Sequence, residues 1–257
     1  MTMHGLTTEQ LLNWERDGFL VIENFLNDEE VRKYNNGLDQ VVQKWKDMGC
    51  PNSEYAKINL VEQVSAIIEY DDMFLELMEH SRMMNMMRDL IGDSIVMIDN
   101  DGIIKAPQQQ AHTSWHRDTG TVCYMNDKRV PFMIKVFYFL ADVPYDGGCL
   151  AFLPGSHKMQ DNQLPKVDKP DDMPGHVRMN VKAGTAVAFH GSTFHSALNN
   201  SSMVSRRSII YNYAPMFLRT WPGYEPSGAL QAKADSNLRK MLLGMLPWVR
   251  DAQAFPE

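Results

Sequence analysis

The chain has 257 residues, of which 44% are apolar and 22% are charged, and these values are ordinary for a globular protein with a sizeable core. The formal net charge of −7, without any dense run of lysine and arginine, argues against a nucleic-acid binder and gives no electrostatic reason to favour a membrane surface. No apolar run reaches the ~18–20 residues of a membrane-spanning helix, and the first residues lack an apolar signal core.

The three cysteines are too scattered to indicate a disulfide framework or a structural zinc site. Cys50, Cys123 and Cys149 are far apart, and no Cys-x-x-Cys pair occurs. We therefore expect a reducing, cytoplasmic location.

The first third of the chain is predicted to be mainly helical. Thr7–Gln10 has the pattern of a capping box, which predicts a short first helix. A strand is expected over Phe19–Ile22, and Asn27 then caps a second helix with an apolar stripe. A third helix is predicted over Phe74–Ile91. Its methionine cluster is interpreted as core filling, since no Cys or His accompanies it at the spacing of a Cu(I) site.

After Gly92 the pattern changes to short strands separated by Gly, Pro, Asn or Asp, which is typical of an antiparallel sandwich or barrel. The predicted strands are Ser94–Ile98, Ile103–Ala106, Met133–Leu140, Cys149–Leu153, Thr185–Phe189 and Ser208–Tyr213. A last helix is expected near Leu230–Leu243, whose apolar side could pack on the barrel or on a second subunit. Without a repeat or linker, residues 1–257 are interpreted as one domain.

The functional analysis centres on Thr113–Thr119, where His116 and Asp118 lie two residues apart. In an extended chain, residues i and i+2 point to the same side, so an imidazole and a carboxylate converge. They supply two of the three ligands of the two-His-one-carboxylate triad, which suits non-haem Fe(II) and leaves coordination positions open. Because chance often produces His-x-Asp, the hypothesis needs a third ligand.

The third ligand is expected just after the strand Thr185–Phe189, where His195 and His190 both stand. Eleven residues after His195 comes Arg206, at the start of a later strand. A metal with two open positions can chelate an α-keto acid, whose far carboxylate requires a cation such as the forked guanidinium of arginine. This combination favours His195, and His190 stays the alternative.

Each residue alone has an ordinary structural interpretation. A single histidine before a strand is commonly a hydrogen-bonded core residue, an aspartate such as Asp118 commonly caps a turn, and Arg206 alone would be a surface charge. His157, which follows a Pro-Gly-Ser turn, is interpreted as fixing that turn and not as a ligand.

With these residues identified, the chain resembles the phytanoyl-CoA dioxygenase (PhyH) family of Fe(II)/2-oxoglutarate-dependent oxygenases over about residues 6–246. The resemblance is carried by Leu6–Gln10, Asp17–Ile22, Lys105–Pro107, Trp115–Asp118, Leu140–Val143, Gly147–Leu150, Leu153–His157, Gly184–Phe189, His195, Asn199 or Asn200, and Arg206. The Pro-Gly-Ser-His turn and the spacing of 11 between His195 and Arg206 are its most specific parts.

This resemblance implies a mainly β fold with flanking helices, a double-stranded β-helix (jelly roll). It implies His116, Asp118 and His195 as catalytic metal ligands, and Arg206 as the partner of the far carboxylate of 2-oxoglutarate. Lys105 and Phe137 are the other candidate contacts of that cosubstrate.

The chain departs from the family at Ala197, where a small hydroxyl residue often contacts the cosubstrate. An intact Asp118 argues against a halogenase, in which Gly or Ala replaces the carboxylate.

The resemblance further implies Fe(II), 2-oxoglutarate and O₂ as cofactors, with succinate and CO₂ as co-products of C–H hydroxylation. Since Lys128–Arg129 and Arg206–Arg207 are the only close basic pairs after the helices, a small molecule, either a secondary metabolite or an amino-acid-like compound, is favoured over an acyl-CoA. The loops Thr119–Pro131 and Leu218–Pro226 are expected to cover its pocket.

Two alternatives stay open. One is a different outcome with the same cofactors, such as desaturation, cyclisation or epimerisation. The other is a metal-holding binding module without activity. Nothing in the sequence indicates an oligomeric state.

Overall fold

The computed structural model describes residues 4–51, 61–110, 114–119, 123–125, 128–130 and 132–246. Its helices are α1 (Thr8–Asp17), α2 (Asp28–Asp47), α3 (Met73–Met78), α4 (Ser81–Leu90), α5 (Gly228–Gln231) and α6 (Asn237–Leu242). Its strands are β1 (Phe19–Ile22), β2 (Glu62–Ser65), β3 (Ile95–Lys105), β4 (Cys123–Met125), β5 (Lys128–Val130), β6 (Ile134–Phe139), β7 (Leu150–Phe152), β8 (Val177–Arg178), β9 (Ala186–His190), β10 (His195–Ala197) and β11 (Arg206–Pro215). Within these ranges, no helix has the length and apolar character needed to cross a membrane.

The two predicted helix starts are confirmed by their caps. The Thr7 hydroxyl accepts from the backbone N–H of Gln10, and the Gln10 side chain accepts from the N–H of Thr7 in return. At the start of α2, Asn27 and Glu30 exchange the same pair of hydrogen bonds. Both capping boxes satisfy backbone donors that the first helical turn leaves unpaired.

A six-stranded antiparallel sheet in the order β1-β9-β6-β11-β3-β2 faces a smaller sheet in the order β10-β7-β8. One face of the large sheet packs on the helices, through residues such as Trp45, Phe74 and Tyr211. The opposite face encloses a second apolar core together with the small sheet, through residues such as Phe137, Phe189 and Phe152. Two facing antiparallel sheets with helices outside form the predicted jelly roll, so the predicted fold class is confirmed.

Two predicted helices are interrupted. The third is divided into α3 and α4 because the backbone of His80 leaves the helical conformation, with ψ at 117°. The ring centroid of His80 lies 4.7 Å from that of Phe25. The last is divided into α5 and α6 because the Ser236 hydroxyl accepts from the N–H of Arg239 and starts a new helix. In both places a side-chain contact outweighs the helical spacing of the apolar residues.

The two strands predicted over residues 94–98 and 103–106 form the single strand β3. Its polar middle, Asp99–Gly102, stays extended because it pairs with β11 on one side and in part with β2 on the other. At Gly102 a Cβ atom would lie 2.6 Å from the side chains of Leu38 and Ile67, so glycine allows the helical layer to pack closely. The continuous strand β3 therefore places two acidic residues, Asp99 and Asp101, in the interior. The prediction of two separate strands did not include these residues.

Candidate metal and cosubstrate site

Three side chains that could hold a metal ion converge from two segments of the chain. Nε2 of His116 lies 3.7 Å from Oδ1 of Asp118, and Nε2 of His195 lies 3.6 Å from Oδ2 of the same carboxylate. One potential ligand atom from each residue lies within 4.8 Å of the other two. Two imidazole nitrogens and one carboxylate oxygen are a donor set that suits a divalent transition metal with open coordination positions.

Both histidines are oriented by hydrogen bonds on the far side of the ring. Nδ1 of His116 lies 2.8 Å from the carbonyl oxygen of Ser114, and Nδ1 of His195 lies 2.9 Å from that of Thr193. If Nδ1 carries the proton and donates to the carbonyl, the lone pair of Nε2 is free to bind a metal. Backbone acceptors of this kind commonly orient metal-binding histidines.

The backbone brings the two ligand segments together directly. His116 and His195 exchange N–H···O=C hydrogen bonds of 2.9 and 3.0 Å, which form an isolated bridge. Between the ligands, Arg117 lies on the opposite side and donates to the carbonyl of Ser192 at 2.7 Å. The segment around Asp118 is therefore held by this bridge and by the hydrogen bond from the N–H of Asp118 to the carbonyl of Gly191 at 3.1 Å.

A half-buried lysine keeps the carboxylate of Asp118 ionised. Nζ of Lys135, on β6, lies 3.0 Å from Oδ1 of Asp118. Burial alone would raise the pKa of Asp118, but Lys135, His195 and His116 together hold it well below its usual range. Burial lowers the pKa of His195 to about 4 despite the opposing effect of Asp118, so this imidazole is neutral at pH 7. Both groups are therefore in the protonation state that metal binding needs.

Two further cations are buried side by side at the end of the sheet. Lys105 and Arg206 are register partners on β3 and β11, with exposed fractions of 0% and 2%. Lys105 donates to the carbonyl of Leu198 at 2.6 Å, and Arg206 donates to that of Gly148 at 2.7 Å, while Nε of Arg206 has no hydrogen-bond partner among the described residues.

The electrostatics of Lys105 and Arg206 favour the binding of an anion. Burial lowers the pKa of Lys105 to about 7, with Arg206 adding to the effect, and burial lowers the pKa of Arg206 to about 10. Buried like charges are costly unless an anion compensates them. A ligand carboxylate would supply that compensation and the missing acceptor for Nε of Arg206.

Ser208 adds a hydroxyl on the same side of β11, two residues after Arg206. It is fully buried, and its Oγ has no partner among the described residues. It could supply the hydroxyl that is absent at Ala197. Phe137 lies on β6 in the interior core, packed against Phe189, and its contact with a cosubstrate stays a prediction.

The other histidines near the site have structural partners. His190 ends β9 and accepts the N–H of Ser192 at Nδ1, and its ring is tilted against that of His157, with the ring centroids 5.5 Å apart. Neither residue belongs to the metal-competent group found among the described residues. His112 lies outside those residues.

Sequence analysis missed Lys135 and Ser208. Lys135 stands in an otherwise apolar strand, and an isolated charge there was an available signal. Ser208 stands two residues after Arg206, on the same side of a strand, which was a second signal. The first signal does not identify the partner of Lys135, because Asp118 approaches from a separate segment of the chain.

The family model for phytanoyl-CoA dioxygenase (PhyH) matches residues 14–208 of this chain. A curated relative, L-proline trans-4-hydroxylase of Streptomyces griseoviridis, is 24% identical over 245 residues, covering 83% of this chain and 88% of the relative.

Solved structures support the fold. HygX from Streptomyces hygroscopicus, with nickel and 2-oxoglutarate bound, superposes with a TM-score of 0.68 at 17% identity, covering 84% of this chain and 90% of HygX. The carbocyclase SnoK from nogalamycin biosynthesis superposes with a TM-score of 0.67 at 22% identity, covering 90% of this chain and 92% of SnoK.

Proposed function

This chain belongs to the phytanoyl-CoA dioxygenase (PhyH) family and is an Fe(II)/2-oxoglutarate-dependent oxygenase, and we propose that it hydroxylates a C–H bond of a small polar molecule. The buried pair Lys105–Arg206 is the observation that carries the proposal, because a metal-holding module without a cosubstrate would have no use for two adjacent cations in its interior.

We assign His116, Asp118 and His195 as the ligands of iron(II). The donor set, the Nδ1 hydrogen bonds and the charge state of Asp118 all fit this ion. When bound, iron(II) and 2-oxoglutarate supply the oxidising chemistry, in which O₂ is consumed and succinate and CO₂ are released. The protein holds the ligands in place and keeps the carboxylate of Asp118 ionised through Lys135.

We assign Arg206 and Lys105 to the far carboxylate of 2-oxoglutarate, with Ser208 as a hydroxyl donor beside them. All three side chains are buried, and Lys105 donates to the carbonyl of Leu198, three residues after His195 in the chain. A bidentate bond from Arg206 would satisfy its unpaired Nε. The walls of this pocket are apolar, which strengthens the attraction between the carboxylate and the two cations.

The substrate is proposed to be a secondary metabolite or an amino-acid-like compound, in line with the relative that hydroxylates L-proline. We propose that the loop Leu218–Pro226 covers this pocket, which is supported by the Tyr224 hydroxyl donating to the buried Asp101 at 2.8 Å. The other predicted cover, Thr119–Pro131, lies largely outside the described side chains. Cyclisation, as in SnoK, is the alternative outcome with the same cofactors.

The location is proposed to be cytoplasmic, because Cys50 and Cys149 are both free thiols.

The test is anaerobic titration of the metal-free protein with Fe(II) and then 2-oxoglutarate, followed by visible absorbance. A weak metal-to-ligand charge-transfer band is expected, because the cosubstrate would bind iron through two atoms. Iron bound without such a band would contradict the cosubstrate assignment. Stoichiometric zinc, with no oxygen consumption in the presence of iron, would favour the binding module.

The affinity for 2-oxoglutarate is expected to fall as the pH rises above about 7. Lys105 has its pKa lowered to about 7 in the free protein, mainly by burial and then by Arg206. A bound carboxylate favours the charged ammonium, so binding is tightest below pH 7. Above it, Kd should rise by up to about tenfold per pH unit until the pKa of the bound state is reached.

The dissociation constant is measured from the charge-transfer band between pH 6 and 9. Lys105→Met is the matched variant, whose Kd should be weak and much less dependent on pH. If Lys105→Met kept the pH dependence of the natural protein, the lysine would not contact the cosubstrate.

A further inference from the structure

Beyond the cosubstrate pocket, β3 and β11 carry an acidic cluster, which we define as Asp99, Asp101 and Asn212. Asp99 and Asn212 are register partners, and Asn212 is in turn the partner of Lys135 on β6. All three members are buried, with exposed fractions of 3%, 8% and 1%. Since Lys135 contacts the proposed metal ligand Asp118, the cluster is continuous with the metal site.

The cluster has more acceptors than donors. The amide of Asn212 donates to Asp99, and its own carbonyl oxygen, Oδ1, has no hydrogen-bond partner among the described residues. Asp101 accepts from Gln63 and from Tyr224, each at 2.8 Å. A buried amide oxygen beside two carboxylates is an unused acceptor, which a ligand with N–H donors would satisfy.

The charges also lack a partner. Asp99, Asp101 and Asp118 are three carboxylates that share the single ammonium of Lys135. Burial raises the pKa of Asp99 to about 7, Lys135 opposes this, and Asp101 adds to it. Suppose that the three aspartates and Lys135 are ionised, and that a divalent metal and one carboxylate of 2-oxoglutarate are bound. The charges of these groups then sum to one negative charge, which has no partner.

We propose that this acidic cluster receives a protonated amine of the substrate, so that the enzyme acts on small cationic or zwitterionic nitrogen compounds. This inference rests on the proposed oxygenase function and narrows its substrate class. The ammonium would donate to Asp99 and to Oδ1 of Asn212, while Asp101 adds charge and is itself held by Tyr224. The bound amine would then lie beside Lys135, which contacts the proposed metal ligand Asp118.

The experiment compares each amine with a neutral molecule of the same shape. Pyrrolidine is paired with tetrahydrofuran, piperidine with tetrahydropyran, and cyclohexylamine with cyclohexanol. Each is titrated anaerobically into the complex of the protein with Fe(II) and 2-oxoglutarate, and Kd is read from the change in the charge-transfer band. The amines are expected to bind about tenfold or more tightly than their partners, the size of one charge-assisted hydrogen bond.

Three variants locate the preference. Asp99→Asn and Asp101→Asn keep the side-chain size and remove the charge, so the preference for amines should fall by about tenfold in Asp99→Asn and also fall in Asp101→Asn. Asp47→Asn is the matched control, because Asp47 is exposed at the end of α2 and contacts Gln43, and it should keep the full preference.

The proposal is overturned if amines bind the natural protein no more tightly than the neutral partners, or if both cluster variants keep the preference. Failure of the oxygenase function would be seen separately, since the charge-transfer band would not form before any amine is added. In that case, calorimetric titration of the same pairs into the metal-free protein still tests the cluster, with the same two results deciding.

Discussion

Asp118→Ala is expected to lose Fe(II) binding and succinate formation by more than about 100-fold. Removing a group that only supports a metal ligand typically costs about 10–100-fold, and loss of a ligand itself should cost more. The carboxylate also contacts both imidazoles, lying 3.7 and 3.6 Å from the Nε2 atoms of His116 and His195. Metal content and anaerobic charge-transfer absorbance measure the loss.

The fold is expected to survive this change, because the ammonium of Lys135 is still compensated by the nearby carboxylates of Asp99 and Asp101. Thermal unfolding checks this point. Asp142→Ala is the control, since Asp142 is a surface residue paired with Lys182, and it should bind iron like the natural protein. If Asp118→Ala formed succinate at the rate of the natural protein, the metal ligands would be misassigned.

Arg206→Ala is expected to weaken 2-oxoglutarate binding by about 30-fold or more. Truncating one partner of a buried, hydrogen-bonded charge pair costs about 2–5 kcal/mol, which corresponds to at least that change in Kd. Lys105 offsets part of the loss. Its pKa is lowered mainly by burial and further by repulsion from Arg206, so removing Arg206 raises the charged fraction of Lys105. The onset of the pH dependence should accordingly move to higher pH.

Arg207→Ala is the matched control for this result. Arg207 is the next residue of β11, but its side chain points outward and donates to Asn35 and Asp39 on α2 at 2.7 and 2.6 Å. Its loss should leave the Kd for 2-oxoglutarate within about twofold, in keeping with the small effect of exposed ion pairs. An unchanged Kd in Arg206→Ala, or a large effect in Arg207→Ala, would move the cosubstrate contact to another cation.

Local features of the sequence were sufficient for much of the fold. The capping boxes at Thr7 and Asn27 were predictable because their donors and acceptors lie three residues apart, within reach in any helix start. The alternation of Phe137 and Phe139, which face the inner core, with Tyr138, which faces the helices, was predictable for the same reason, since side chains of a strand alternate. The pairing of His116 with Asp118 likewise depended on a spacing of two.

Only the tertiary structure decided which distant groups meet. Asp118 and Lys135 are 17 positions apart. Strand β3 brings Lys105, at its end, to Arg206 and Asp99, in its middle, to Asn212, in each case across more than 100 positions. Sheet register determines such contacts, and register depends on the whole set of strands. The sequence by itself thus determined the helix caps, the strand pattern and the residue types of the metal site. The buried charges that tune it, and the acidic cluster beside it, were decided by which strands became neighbours.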